Sequence, residues 1–414
     1  MPNTSLLSGL IPTDAKHILE LGCSDGLLGI FHKAKNPDVW WTGLDSPSNP
    51  EAQKALGKLD TVGIIDLDTI VSSKFAKAYD TIVVNDLSIF RDPEALLTAA
   101  HDISTPAATL ACRVPIMSHI SIIEQMLYGD ITYKTNLRFL SIASAYKMML
   151  DAGWLPALKL LSNWVPGTQF IRAMLEAAKA LNIPESTARR NLETYEIYVQ
   201  CTKGPKPTTD NKTPFSVVVA VNNQAQLDRN ISASPGLKEI DAQIICVTET
   251  ADAAGALKAG KKQAKHPWIV YCHQDVYFPR GSGSLIVEQL AQTSPDTLVG
   301  FAGIEAGGRH SGLVIDRVSK FDFPGTDRAV SVDEFAVAMH VDGPHEIDPA
   351  FGWHLWGTDL CLKACSAKII RAPLFHNSTT ENVPSEPFKA SQKMLIEKYQ
   401  GRGVILALTG QVQT

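Results

Sequence analysis

Two residues at the end of one apolar run have the spacing to hold a metal ion. Trp268, Ile269, Val270, Tyr271 and Cys272 are mostly apolar and β-prone, the pattern of a strand covered on both faces. His273 and Asp275 follow at once. In an extended strand end, residues i and i+2 point to the same side, so one imidazole nitrogen and one carboxylate can share a divalent cation. A mixed nitrogen and oxygen set suits Mn²⁺ or Mg²⁺ better than a structural zinc site. The carboxyl end of a parallel strand is also where open α/β sheets bind ligands. The plainer alternative is a surface turn that carries a His and an Asp.

A second group of residues near the N-terminus has the types and order of a nucleotide site. His17 to Leu21 reads as a buried strand, followed by the turn Gly22-Cys23-Ser24-Asp25-Gly26 and an apolar run over residues 27–31. Glycines let a backbone take torsions that a side chain forbids and pass close to a ligand. Alone, such a turn is shared by many nucleotide folds. The next strand, residues 39–44, ends on Asp45. An acidic residue roughly 20 positions beyond such a turn can accept hydrogen bonds from ribose hydroxyls.

The elements that position these residues follow from the rest of the pattern. In the first half a third unit ends in Asp66-Leu67-Asp68, and a fourth strand, residues 80–84, ends on Asn85-Asp86. Strands alternating with helical stretches argue for a doubly wound parallel sheet. Residues 162–190 read as helical and amphipathic, and residues 193–201 as a last strand. A polar stretch from Lys203 to Pro214 holds three prolines and no apolar residue. It marks a boundary: a first domain over 1–203, a linker over 204–213 and a second domain over 214–414. In the second domain the β-branched run of residues 215–221 and residues 244–248 are two strands ahead of Trp268, again an α/β pattern.

The totals set limits. With 414 residues the chain is too long for one ordinary core. Hydrophobic residues make up 45% and charged residues 20%, as in soluble globular proteins. A net charge of −5 excludes the basic footprint of a nucleic-acid binder. No apolar run approaches the roughly 18 residues needed to span a bilayer. The first residues lack the basic and apolar regions of a signal peptide, and seven scattered cysteines show no C-x-x-C spacing, so a cytoplasmic location is expected.

The first half resembles the class I S-adenosylmethionine-dependent methyltransferases. Leu19-Glu20-Leu21-Gly22-Cys23-Ser24-Asp25-Gly26 is similar to their first motif, with Ser24 where the family usually has glycine. The resemblance continues through Tyr79 to Leu87, Arg91-Asp92-Pro93, Arg113-Val114-Pro115, Asn136 to Leu140 and Leu150 to Trp154. It implies a Rossmann-like methyltransferase fold with S-adenosylmethionine as cofactor. Glu20, Gly22, Ser24 and Gly26 would surround its methionine and ribose, Asp45 would hold the ribose, Asp66 would sit by the adenine, and Asn85 and Asp86 would close the pocket. A Glu-His pair common in the family is replaced by Ser88-Ile89, and a His by Asn136. His119 remains as a candidate base, although a lone His after a strand is more often structural. The alternative for this half is a scaffold without a reaction.

The second half resembles a GT-A, family 2-like glycosyltransferase of the streptomycin-biosynthesis-protein-like branch. That branch carries His-Gln-Asp-Val where most relatives carry Asp-x-Asp, and here those residues are His273 to Val276. The match covers residues 216–276 and 332–376. It implies a GT-A fold, with His376 completing a Mn²⁺ or Mg²⁺ site of His273 and Asp275. A nucleotide-sugar donor would meet Val221, Asn223, Glu249, Lys258 and Gln274, with Lys258 standing where Asn is usual. Asp333, Glu334, Trp353, His354 and Trp356 would line the acceptor site. Asp359 would be the general base, giving inversion at the anomeric carbon; its plainer reading is a helix N-terminal charge favoured by the dipole. The combined expectation is a bifunctional transferase that glycosylates and methylates a glycan or glycosylated small molecule. The alternatives are a glycosyltransferase with a scaffold domain, and a non-enzymatic glycan- or nucleotide-binding module.

Overall fold

A computed structural model describes residues 4–67, 79–128, 140–163, 168–181, 183–208, 213–316, 320–378 and 385–414. Asp68, Asn136 and the middle of the expected linker lie outside the described residues. The chain divides into two compact units between Gly204 and Pro205. Among the described residues no helix is long and apolar enough to cross a membrane.

The first unit is built on seven strands: β1 (His17–Leu21), β2 (Trp40–Asp45), β3 (Thr61–Ile64), β4 (Tyr79–Val84), β5 (Ser104–Pro115), β6 (Trp154–Asn163) and β7 (Thr194–Lys203). Their order in the sheet is β3-β2-β1-β4-β5-β7-β6. The strands from β3 across to β5 are parallel, and β7 runs antiparallel to both of its neighbours. The chain winds outward from β1 in one direction and from β4 in the other. The β1/β4 boundary is therefore the switch point at which doubly wound sheets bind ligands. Continuous apolar stretches make this possible: Leu19, Leu21, Ile82, Val83 and Val84 are all buried. The single helical stretch expected over residues 162–190 is corrected. Ser162 and Asn163 finish β6, and two helices follow, Thr168–Ala180 and Glu185–Glu193. Pro184 caps the second helix and cannot continue the first.

Among the described residues the second unit has two six-stranded sheets and a two-stranded ladder that pairs Val404–Ala407 with Gly410–Gln413. The strands of the two sheets, in chain order, are β8 (Ser216–Ala220), β9 (Gln243–Val247), β10 (Trp268–Cys272), β11 (Val276–Tyr277), β12 (Thr297–Gly300), β13 (Ala302–Glu305), β14 (His310–Asp316), β15 (Lys320–Phe323), β16 (Ala329–Val332), β17 (Ala336–His340), β18 (Ser366–Ile369) and β19 (Leu374–His376). The first sheet runs β18-β12-β17-β10-β8-β9, and the second β11-β19-β14-β13-β16 with β15 beside β14. In the first sheet β9, β8 and β10 are parallel, so their carboxyl ends lie together. The β17 strand is antiparallel to β10 and therefore begins at that same end.

Candidate metal centre and adjoining cavity

Two neighbouring side chains, His273 and Asp275, meet a third from far along the chain, His376, at the end of β10. The ligand atoms of His273, Asp275 and His376 all lie within 4.8 Å of one another. Local backbone pairing explains the meeting. The His273 N–H donates to the Phe335 carbonyl at 2.9 Å, which holds the end of β10 against the start of β17. Val276 pairs with His376 in the short antiparallel β11–β19 ladder, and the Asn377 N–H donates to the Asp275 carbonyl at 2.8 Å. His376 Nε2 is 3.5 Å from Asp275 Oδ1, and the two imidazole centroids are 5.8 Å apart.

The charges fit a cation. Asp275 Oδ1 is buried and accepts no hydrogen bond, an arrangement that a metal ion would relieve. Burial opposes ionisation of Asp275, but His376 and then His273 outweigh it and hold the carboxyl down at about 2. Burial also opposes the charge on His376, but Asp275, Asp316 and Asp333 reverse the balance and raise its pKa. Burial lowers that of His273, leaving it a neutral imidazole, the form a metal takes.

A cavity of about 460 Å³ opens beside this cluster. Ala220, Val221 and Asn222 line it from the end of β8, Glu249 and Thr250 from the end of β9, and residues 271–275 from the end of β10. Trp353 and His354 form part of the same lining. Of the expected donor residues, Val221, Glu249 and Gln274 line the cavity. Glu249 does so from a left-handed backbone, φ 55°, unusual for a residue with a side chain. Gln274 has its amide engaged: Oε1 accepts the N–H groups of Asn222 and Asn223, and Nε2 donates to Asn222 Oδ1. Asn223 caps the helix Gln224–Arg229 through its side chain, and Lys258 is exposed on the helix Ala253–Lys261, outside the lining.

The expected acceptor side needs two corrections. Asp359 does not face the cavity. It is 0% exposed, with Oδ2 at 2.6 Å from Lys363 Nζ and Oδ1 at 2.8 Å from both Lys398 Nζ and the Tyr399 hydroxyl. Two ammonium groups and a phenol hold this carboxylate, which joins the helix Trp356–Lys363 to the end of the helix Glu386–Lys398. Trp356 is also buried, edge-on to Tyr271 at 5.4 Å, and is core rather than sugar platform. Trp353, 37% exposed, and His354 do reach the cavity. Burial lowers the pKa of His354 and keeps it neutral. Glu334 fixes the backbone just beyond it, accepting the Leu355 N–H at 2.8 Å, where Leu355 takes φ 60°. Burial, and then the charge of Asp333, push the Glu334 carboxyl up to about 8. Asp333 accepts the Phe335 N–H at 3.0 Å. The sequence reading missed Asn222, Thr250 and Asp316. Asn222 directly follows an expected strand end and Thr250 directly follows the expected donor residue Glu249, a signal that was available.

In the first unit the turn after β1 has the torsions such a site needs. Gly22, Ser24 and Gly26 all have positive φ, at 78°, 47° and 76°. The polar groups around it are engaged with one another. Asp45 is 3% exposed; its Oδ2 accepts the Ser24 N–H at 2.6 Å and the Asn49 amide at 3.1 Å, and its Oδ1 accepts the Ser46 N–H at 2.7 Å. Glu20 accepts from Trp41 Nε1 at 2.8 Å and from Asn85 Nδ2 at 2.5 Å, and burial raises its carboxyl to about 8. Asp86 pairs with Arg113 at 2.7 Å, and Arg113 also pairs with Glu196 at 2.6 Å. The backbone of the turn fits a nucleotide cofactor, but the carboxylate expected to hold the ribose does not, as arranged, present itself. Asp66 is exposed beyond the end of β3. His119 is fully buried, bonded through Nδ1 to Ser121 Oγ at 2.7 Å and edge-on to Tyr195, the structural alternative.

No family model matches the chain, and no curated protein does. Solved structures do. An S-adenosylmethionine-dependent methyltransferase from Mesorhizobium loti is 13% identical, with a TM-score of 0.33 over 48% of this chain and 96% of that one. One from Archaeoglobus fulgidus is 13% identical, with a TM-score of 0.35 over 48% of this chain and 92% of that one. The [4+2]-cyclase SpnF is 13% identical, with a TM-score of 0.34 over 49% of this chain and 80% of that one. Each of these alignments covers about half of this chain.

Proposed function

We propose that the second unit transfers a sugar from a nucleotide-sugar donor to a hydroxyl of a glycan or glycosylated small molecule, with Mn²⁺ or Mg²⁺ held by His273, Asp275 and His376. One observation carries this reading: a half-buried His/Asp/His cluster, in which Asp275 Oδ1 accepts no hydrogen bond, beside a cavity of about 460 Å³ at three parallel strand ends. That volume is within the range of small-molecule sites. The sheet order, with parallel β9, β8 and β10 followed by antiparallel β17, supports the GT-A reading of the sequence.

The cation, when bound, offsets negative charge building on a leaving diphosphate. The protein's own groups do the rest. Val221, Asn222 and Glu249 shape the donor side, and Gln274 holds the end of β8 in place. Trp353 offers an aromatic face to a sugar ring. His354, neutral and in the cavity lining, replaces Asp359 as the base. It takes the acceptor hydroxyl proton as that oxygen bonds the anomeric carbon and the carbon–phosphate-oxygen bond breaks. Attack opposite the leaving group inverts the anomeric centre.

The test is a thermal-shift panel on the full chain with UDP, GDP, CDP and dTDP, each with and without Mn²⁺. A ligand that binds only the folded state raises its apparent stability. One nucleotide is expected to stabilise the protein only with metal, and its sugar conjugate to be turned over. Four nucleotides without any metal-dependent shift would sink the reading.

A second reading, S-adenosylmethionine-dependent methylation in the first unit, is favoured by the left-handed turn at Gly22, Ser24 and Gly26 beside the β1/β4 switch point. It requires Asp45 to exchange the Ser24 and Asn49 donors for ribose hydroxyls. Stabilisation by S-adenosylhomocysteine in the same panel supports methylation; no shift supports a scaffold.

A further inference from the structure

His376 stands between two carboxylates, one at each ring nitrogen. Nε2 is 3.5 Å from Asp275 Oδ1, and Nδ1 is 3.8 Å from Asp316 Oδ2. Asp275 belongs to the cluster of three; Asp316 lies outside it. The placement is set by the sheet. Asp316 is the last residue of β14 and is paired with His376 in the parallel β14–β19 ladder. Neighbouring strands of one sheet hold two side chains more reproducibly than a loop does.

We propose that Asp316 is a positioning residue of the metal centre: its carboxylate, 3.8 Å from Nδ1 of His376, favours the tautomer that carries its proton on Nδ1 and so leaves Nε2 to a cation shared with Asp275 and His273. The inference rests on the metal-dependent reading above. A ligating imidazole commonly gives its other N–H to a carboxylate, which fixes the tautomer and ring orientation and makes the ligand more basic. Asp333 is the other outer carboxylate whose charge reaches both histidines. Its Oδ1 is bonded to the Phe335 N–H, which anchors it to the turn before β17. Asp316 is the one that approaches the second ring nitrogen of His376, Nδ1, at 3.8 Å.

The experiment titrates the full chain with Mn²⁺ alone and follows the loss of the free-ion paramagnetic resonance signal. Removing an outer carboxylate typically weakens metal binding about 10- to 100-fold. Asp316→Ala is expected to fall in that range. Asp316→Asn, which keeps an acceptor oxygen without the charge, is expected to fall between it and wild type. Co²⁺ in place of Mn²⁺ adds a spectroscopic signature: the visible bands should shift in Asp316→Asn, which a purely structural role would not cause. Wild-type uptake of Mn²⁺ with both variants within about twofold of it would overturn this inference and leave the metal centre standing. Wild-type chain that takes up neither Mn²⁺ nor Co²⁺ would overturn both.

Discussion

Gln274 holds Asn222 from two sides: its Oε1 accepts the Asn222 N–H at 3.1 Å, and its Nε2 donates to Asn222 Oδ1 at 2.6 Å. The same Oε1 accepts the Asn223 N–H at 2.9 Å. The middle residue of His-Gln-Asp therefore ties the end of β8 to the turn that carries the metal ligands. Replacing Gln274 by Ala removes the acceptor of two backbone N–H groups in the cavity wall; Asn222 and Asn223 are both exposed and water can take over, so the net cost is about 0.5–1.5 kcal/mol. The expected result is a lower unfolding midpoint and weaker nucleotide binding, with Mn²⁺ uptake retained. Calorimetric titration with nucleotide and with Mn²⁺ separates the two effects.

Asp359→Asn is expected to destabilise the protein without slowing transfer per folded molecule. Breaking a buried ion pair costs several kcal/mol, but Lys363 and Lys398 are each about a third exposed, so about 2 kcal/mol is expected. Urea unfolding read beside donor turnover checks it. Loss of turnover at unchanged stability would restore Asp359 as the base.

His354→Gln should show the opposite behaviour. Removing a general base typically costs about 10²- to 10⁴-fold in rate. Metal-dependent nucleotide binding should survive, because His354 belongs to the acceptor side of the cavity. Steady-state transfer rates beside nucleotide titrations would show it, and an unchanged rate would exclude His354 from the chemistry.

Metal uptake should depend on pH. A cation needs His376 unprotonated, and the folded protein raises its pKa above the ordinary 6.5. Mn²⁺ affinity is therefore expected to fall as pH drops through that raised value, beginning above pH 6.5. Metal-free stability runs the other way for this group: its contribution is complete below 6.5 and is lost as pH rises through the folded value. Asp275, held at about 2, contributes stability that is present above its ordinary 3.8 and lost as pH falls towards 2. Manganese titrations from pH 6 to 9 test the first statement, and acid unfolding tests the last.

Asp45→Ala is expected to destabilise the first unit with no cofactor added. It strips acceptors from the Ser24 and Ser46 N–H groups, about 1–3 kcal/mol for each group left unsatisfied. An unchanged unfolding midpoint would show that Asp45 is not anchored by the turn and is available to a ribose.

The sequence made β10 and the His273–Asp275 pair legible because both are local: one apolar run, then an i, i+2 spacing. His376 was within reach only through family resemblance, since the β11–β19 ladder that delivers it is a tertiary contact. Asp359 looked catalytic because residue type and helix position were visible while its partners were not. Tyr399 lies 40 residues further along the chain. The engagement of Asp45 was hidden for a different reason: two of its donors are backbone N–H groups, which every residue type carries. The break at Pro184 was available, because proline cannot sit in a helix interior and the amphipathic pattern ran straight across it.

His273 hangs from one six-stranded sheet of the second unit and His376 from the other. An ion shared between them would rivet two otherwise separate hydrogen-bond ladders into one cooperative folding unit. Occupancy would then be recorded far from any turnover, as slowed amide hydrogen exchange along β19 and at Asn377, whose N–H closes on the Asp275 carbonyl.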